Sequence, residues 1–113
     1  MERRVLVVAW DDTSLAEDDS EWIVVAKEAL RLSVGRIGCI ALGCRVTPVG
    51  VRLVIQCNDQ HDPGELIEWV RAAARFAVTK YLGYGPQWDA PYRFAWISGP
   101  AVAEEITACL TAK

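Results

Sequence analysis

Residues 40–56 read IALGCRVTPVGVRLVIQ, and the other predicted elements are assigned relative to this stretch. It consists of two runs of apolar and β-branched residues, which are typical of strands. Between them lies the segment Thr47-Pro48-Val49-Gly50. Proline at the second position and glycine at the fourth are favoured in a type I turn. The stretch therefore predicts a β-hairpin with its turn at residues 47–50.

This turn sets the register of the hairpin. Val46 then faces Val51, and Arg45 faces Arg52. Because side chains alternate along a strand, one face is predicted to be the core face. Its members are apolar or cysteine: Ile40, Leu42, Cys44, Val46, Val51, Leu53 and Ile55. The other face carries two like charges directly opposite each other, which is destabilising. We therefore expect an anion, a carboxylate or water between Arg45 and Arg52.

The flanking sequence supplies the remaining elements. Strands are predicted at residues 4–10 and 92–97, and helices from residue 20 to the glycines at 35 and 38, at 63–82 and at 101–112. The resulting order is βαββαβ followed by a helix. This order predicts an α+β, ferredoxin-like domain with a mostly antiparallel sheet, two helices on one face and an extra C-terminal helix.

Helical periodicity predicts which side chains of the middle helix are buried. The apolar stripe comprises Leu66, Trp69, Val70, Ala73, Phe76 and Ala77. Arg71 and Arg75 lie one turn apart on a different face, with Glu68 near Arg71. This face is either an ordinary solvated surface or part of a binding surface.

Length and hydropathy limit the organisation of the chain. With 113 residues, about half of them apolar, we expect one domain over residues 1–113. No apolar run is long enough for a membrane span. The first residues have an apolar run too short for a signal peptide, so we expect a cytoplasmic protein with no membrane partner.

The charge of the chain is unevenly distributed. Its net charge of -3 argues against a generic nucleic-acid-binding protein, which is usually basic. Most of the acidic side chains lie before residue 34, and the rest of the sequence is close to neutral. That later part can present a local basic face.

The cysteines do not form a recognisable metal site. Cys39, Cys44, Cys57 and Cys109 have no CxxC spacing, and His61 is the single histidine. We interpret them as buried thiols. No metal and no cofactor is expected.

The sequence from about residue 34 resembles the small single-tyrosine HUH transposases, which include insertion-sequence-200-like and repeat-associated tyrosine transposases. Three segments carry the resemblance: Gly50-Val51-Arg52-Leu53-Val54-Ile55 at the second hairpin strand, Gln87-Trp88-Asp89-Ala90-Pro91-Tyr92-Arg93-Phe94 at a Trp loop and aromatic strand, and Ser98-Gly99-Pro100-Ala101-Val102-Ala103-Glu104-Glu105-Ile106 at a glycine break and helix start. The resemblance implies a ferredoxin-like core and a relation to single-stranded or hairpin nucleic acid.

The sequence departs from that family at the residues that carry its chemistry. Gly50 and Arg52 stand where the two metal-ligating histidines would lie, and neither is a metal ligand. The final helix offers Ala108, Cys109 and Leu110 near the position of the nucleophile, and no tyrosine follows Tyr92. The family's reaction needs both the metal ion and the tyrosine. The comparison therefore implies the fold without the catalysis, and no catalytic residue is assigned.

Three functions remain open. The first is a catalytically inactive transposase-like domain that binds DNA or RNA, as a homodimer, through a basic set of residues: Arg45, Arg52, Arg71, Arg75 and Lys80. The second is a dimeric structural or protein-interaction module, for which the five tryptophans provide anchors. The third is an enzyme that uses Cys109 as nucleophile and His61 as base.

Overall fold

The computed structural model describes residues 3–11, 20–58, 60–83, 88 and 90–110. Seven elements follow one another along this part of the chain. They are β1 (Arg3–Asp11), α1 (Ser20–Arg36), β2 (Ile40–Thr47), β3 (Gly50–Asn58), α2 (Pro63–Leu82), β4 (Tyr92–Ile97) and α3 (Pro100–Leu110). The predicted end of the last helix, after Leu110, lies outside the described residues.

The four strands form one sheet in the order β2-β3-β1-β4, and every neighbouring pair is antiparallel. Together with α1 and α2 this is the ferredoxin-like arrangement, with α3 as an additional C-terminal helix. The predicted fold class is confirmed. None of the described helices is long and apolar enough to cross a lipid bilayer.

The main core lies between the sheet and the helices α1 and α2. Every second residue of the central strands points into it, including Leu6, Val8 and Trp10 of β1. Trp10 contacts Trp88 in an edge-to-face arrangement, with ring centroids 5.7 Å apart. Such aromatic pairs add to the stabilisation that comes from burial alone.

Helix α2 has well-defined ends. The side chain of Asp62 accepts a hydrogen bond from the backbone N–H of Glu65, and Pro63 occupies the first turn. At the other end Gly83 adopts a left-handed conformation (φ 84°) and donates its N–H to the carbonyl of Thr79 at 2.8 Å.

The predicted apolar stripe of α2 is wrong in part. The helix buries Leu66, Ile67, Val70, Ala74 and Val78, whereas Trp69 is 42% exposed and Phe76 70% exposed, and Ala77 is also exposed. The helix carries apolar side chains on two adjacent faces, so periodicity alone does not select the buried one. Phe76 belongs to a second, solvent-facing apolar stripe.

The hairpin has the predicted register at its turn end, where Arg45 pairs with Arg52 and Val46 with Val51. A β-bulge between Ala41 and Gly43 then reverses which side chains of β2 point towards the main core. Beyond the bulge Ala41, not Leu42, contacts the main core, and Ile40 is 45% exposed. The predicted core face is thus correct for Cys44, Val46, Val51, Leu53 and Ile55 and wrong for Ile40 and Leu42.

A smaller apolar cluster covers part of the opposite face of the sheet. It joins Val7 and Val54 to Cys109 of α3, with Val5, Leu42, Ile97 and Ile106 packed around them. Gly43 lies directly under Cys109, and a Cβ atom at Gly43 would be 3.2 Å from the Cys109 Sγ atom. The missing side chain therefore lets α3 lie close to β2.

Candidate nucleic-acid interface

Three arginines lie in one row across the face of the sheet that carries α3. Arg45 of β2 pairs with Arg52 of β3, Arg52 pairs with Ala9 of β1, and Ala9 pairs with Arg93 of β4. Adjacent strands are about 5 Å apart, so Arg52 and Arg93 are separated by roughly 10 Å at the backbone. The row places three guanidinium groups, from three strands, on the same face.

A cavity of about 240 Å³ opens beside this row. Its lining includes Ala9, Asp11, Arg45, Arg52 and Arg93. The hairpin turn contributes Thr47, Val49 and Gly50. The cavity therefore lies where the turn end of the hairpin meets the end of β1, and three of its lining side chains are permanent cations.

Helix α3 supplies a carboxylate to this row. The Nε and Nη2 atoms of Arg52 lie 2.8 and 2.7 Å from the Oε1 atom of Glu105. A carboxylate is one of the three partners expected for the opposed arginines, and this one contacts Arg52 and comes from 53 residues away in sequence. The contact reduces the repulsion between Arg45 and Arg52, because it neutralises one of the two charges.

Within the described part of the chain, the side chain of Arg45 makes fewer hydrogen bonds than that of Arg52. Its Nε atom is buried and has no hydrogen-bond partner among the described residues. An unpaired buried donor is unfavourable by about 1–3 kcal/mol. Because Arg45 also lines the cavity, an anion there would lie close to its guanidinium group.

Sequence reasoning missed Arg93. Its side chain is exposed and lies 3.8 Å from the Asp11 carboxylate, and both side chains are more than 60% exposed. Such an ion pair is weak and readily replaced by another anion. Alternation along strand 92–97 places Arg93 on the opposite face from Tyr92 and Phe94, but its proximity to Arg52 depends on the strand order.

Arg71 occupies a structural position in the other layer. It is 6% exposed, donates from Nη1 to the carbonyl oxygen of Ala90 at 2.7 Å, and lies 5.3 Å from the Trp10 ring centroid and 5.2 Å from that of Tyr92. These contacts join α2 to β1 and to the segment before β4. The guanidinium is therefore used inside the fold.

Arg75 and Lys80 also lie on α2, and both are exposed. Arg75 lines a small cavity with Glu68, Arg71 and Trp88, and Lys80 lines a groove between α1 and α2. Because α2 covers the core face of the sheet and α3 the opposite face, the five predicted binding residues do not form one surface. Arg45 and Arg52 are brought together on one face, and Arg71 and Arg75 line a separate cavity in the other layer.

The site does not fit the divalent metal ion that the transposase resemblance implies. A Cβ atom at Gly50 would lie 2.7 Å from the carbonyl oxygen of Trp10, so a histidine there requires a shift of β1. Arg52 and Arg93 already contact the nearby carboxylates of Glu105 and Asp11. Among the described residues no three His, Cys, Asp or Glu side chains are grouped to hold a metal.

The Cys109 and His61 pair proposed for an enzyme is not assembled either. Cys109 is 6% exposed and packs against Val7 and Val54, whereas His61 lies in the turn after β3. Burial raises the pKa of the Cys109 thiol, although Arg52 and Arg45 partly oppose this. A thiol with a raised pKa is a weak nucleophile at neutral pH.

Comparison with known proteins indicates the same fold. No protein-family model matches this sequence, and no curated protein does. Among solved structures, the chain is similar to a "putative transposase" from Deinococcus radiodurans R1, with a TM-score of 0.75 and 17% sequence identity over 92% of this chain and 86% of that chain. The likeness covers nearly the whole chain, so the chain has the fold of that protein.

Proposed function

We propose that this chain is a transposase-like domain that has no catalytic site of its own and binds nucleic acid through Arg45, Arg52 and Arg93. The observation that carries the proposal is the row of three arginines beside the cavity. Guanidinium groups are well suited to phosphate, to which they donate two parallel hydrogen bonds. The transposase-like fold supports nucleic acid as the source of that phosphate.

The spacing of the row favours a single strand over a duplex as the ligand. A strand that crosses the sheet perpendicular to the β-strands places consecutive phosphates near arginines about 5 and 10 Å apart. Helix α3 lies on the same face, against β2 and β3, and limits the room there for a wide duplex. We therefore propose single-stranded nucleic acid, or the unpaired end of a hairpin.

Glu105 opposes this binding. Its carboxylate occupies Arg52, so a phosphate must displace it or share the guanidinium. Removing the negative charge at Glu105 therefore strengthens phosphate binding, whereas removing the arginines weakens it. Net charge alone predicts the same signs, so a control that removes positive charge from the other layer is needed to identify a specific site.

The proposal is tested by fluorescence anisotropy with labelled single-stranded and hairpin oligonucleotides at about 50 mM and about 200 mM salt. With three phosphate contacts, the affinity should fall roughly tenfold or more over this range. We expect Arg45→Ala/Arg52→Ala to lose most of the binding at low salt, Arg93→Ala to lose part of it, and Glu105→Gln to bind more tightly.

The matched control is Arg75→Ala/Lys80→Ala, which removes the same charge from the other layer. We expect it to bind as the wild type does. Equal losses in the two double variants would show that only net charge matters, and no binding by the wild type at low salt would disprove the proposal. Metal-dependent nicking of DNA by the wild type would disprove the absence of catalysis.

We also propose that the chain acts as a homodimer. Strands β2 and β4 are the edges of the sheet, and β4 carries exposed side chains at Phe94 and Ala95. Unpaired edge strands can pair with another chain. Light scattering should give twice the chain mass, and Phe94→Lys should reduce it to that of a monomer; a monomeric wild type would contradict this.

A further inference from the structure

The layer that contains α1 and α2 has a groove on its outer side. This cavity of about 590 Å³ is lined by Leu32 of α1 and by Phe76 of α2, which are 60% and 70% exposed. Small residues lie between them: Ala29, Ser33, Gly35, Ala73 and Ala77. The groove thus has two large apolar side chains along it and little side-chain bulk between them.

The apolar side chains follow a helical repeat. Trp69, Ala73 and Phe76 are spaced by four and three residues, so they lie on one face of α2. Trp69 is 42% exposed, which extends the solvent-facing stripe by two turns. Exposed apolar patches of this kind are typical of interaction sites, because exposure of a large apolar side chain to water is unfavourable.

The charges around the groove have one sign. Arg31, Arg36 and Lys80 line it, and none of its described lining residues is acidic. Arg31 is neutralised by Glu28 at 2.9 Å, but no ion pair involves Arg36 or Lys80 within the described part of the chain. This is unusual in a chain with 15 acidic and 12 basic residues.

We propose that this groove binds an acidic amphipathic helix of a partner protein. The partner's apolar residues would contact Leu32 and Phe76, and its carboxylates would pair with Arg36 and Lys80. An amphipathic helix in an apolar groove is a common mode of recognition, and the small residues between α1 and α2 allow its close approach. The inference is independent of the proposed nucleic-acid site, which lies on the opposite layer.

The positive charges around the groove favour an acidic amphipathic helix over other ligands. A helix of basic or neutral character would leave Arg36 and Lys80 without a counter-charge, and like charges across an interface are unfavourable. A nucleic acid would satisfy the two cations but not the apolar side chains between them. An acidic amphipathic helix satisfies both.

The probe for this site is a synthetic helical peptide of about 15 residues, with leucine on one face and glutamate on the other. A second peptide replaces glutamate by lysine, and a third replaces leucine by serine. Binding is measured by fluorescence anisotropy and located by amide chemical-shift changes. We expect only the first peptide to bind, with the shifts confined to α1 and α2.

Two variants and two matched controls test the residues. Phe76→Ser should weaken binding about tenfold, as expected for loss of one large apolar contact. Tyr81→Ser, at a side chain that is 73% exposed on the same helix but outside the groove, should have no effect. Arg36→Glu/Lys80→Glu should reverse the preference, so that the lysine peptide binds, whereas Lys27→Glu should not.

Several results would overturn the proposal: equal binding of the glutamate and lysine peptides, no binding of the glutamate peptide at millimolar concentration, or shifts outside α1 and α2. A wild-type dimer that Phe76→Ser converts to a monomer would show that a second copy of this chain covers the groove. Circular dichroism of each variant verifies that it is folded.

Discussion

The two faces of the sheet are built from alternate residues of the same strands, yet within the described part of the chain they differ in how completely helices cover them. On one face α1 and α2 bury a continuous apolar core around Trp10 and Trp22. On the other face the 11-residue helix α3 covers only a small cluster around Val54 and Cys109. The remainder of that face holds the arginine row.

We therefore expect the core face to determine stability and the face with the arginine row to determine ligand binding. Arginines on the two faces illustrate it, since Arg71 is buried and donates to the carbonyl oxygen of Ala90, whereas Arg52 and Arg93 are partly or largely exposed and line a cavity with Arg45. Substitutions on the core face should therefore change the free energy of unfolding. Substitutions in the arginine row should change ligand affinity instead.

The largest expected effect compares Val8 and Val7, which are neighbours on β1 and face the main core and the α3 cluster respectively. Val8→Ala should lower the free energy of unfolding by about 2–3 kcal/mol, and Val7→Ala by about 1 kcal/mol. The chemistry of the two substitutions is identical, and the difference arises because α3 can shift to fill a cavity more easily than the main core can. Urea unfolding measures both, and equal losses would mean that α3 is packed as firmly as α1 and α2.

The next comparison is between Arg71→Met and Arg52→Met. Arg71→Met removes a buried hydrogen bond to Ala90 and the contacts with the Trp10 and Tyr92 rings, so we expect a loss of about 2 kcal/mol in the free energy of unfolding. Arg52 is partly exposed, so loss of its pair with Glu105 should cost at most about 1 kcal/mol. For oligonucleotide affinity we expect the opposite order: Arg52→Met should lower the affinity more than Arg71→Met does. If Arg71→Met instead weakened oligonucleotide binding without destabilising the fold, Arg71 would belong to the binding site.

A smaller effect concerns the contact between Gly43 and α3. Gly43→Ala should lower the free energy of unfolding by about 1 kcal/mol, because the new Cβ atom would be 3.2 Å from the Cys109 sulfur. Cys109→Ala in the same chain should recover part of this loss, which a double-mutant cycle measures.

The control for Gly43 is Gly35→Ala within α1. Apart from its chain neighbours and the backbone of its own helix, no atom lies within 4 Å of the position of its Cβ atom. Alanine is a better helix former than glycine, so this substitution should stabilise the protein by up to about 1 kcal/mol. Additive effects of Gly43→Ala and Cys109→Ala would show that α3 adjusts its position freely.

Local signals in the sequence were sufficient for the order of the elements and for the hairpin register at Arg45 and Arg52. The turn residues and the alternation act over a few residues, and the structure confirms the element order and the register at the turn end. The bulge in β2 was not predictable, because it lets Leu42 join a cluster with α3, which is distant in sequence.

The parts of the site that were missed depend on tertiary contacts in the same way. Arg93 joins Arg52 only through the strand order β3-β1-β4. Arg71 is buried because Trp10 and Tyr92 surround it, although its spacing on the helix is that of a surface residue. The exposure of Phe76 depends on which of two apolar faces of α2 meets the sheet. Each of these positions depends on how elements distant in sequence pack together, and no local sequence pattern describes that packing.

The smallest predicted effect uses Cys44, one of the cysteines on the core side of the hairpin. Burial raises the pKa of its thiol from 9.0 to about 12. Above pH 9 the unfolded chain loses this proton while the folded chain keeps it, so the free energy of unfolding falls as the pH rises. From pH 7.5 to pH 9.5 the loss attributable to Cys44 should stay below about 1 kcal/mol. It should be absent in Cys44→Ala, whose other titratable groups are unchanged. Urea unfolding at both pH values measures the difference, and an equal pH dependence in the two proteins would show that Cys44 is accessible to solvent and ionises normally in the folded state.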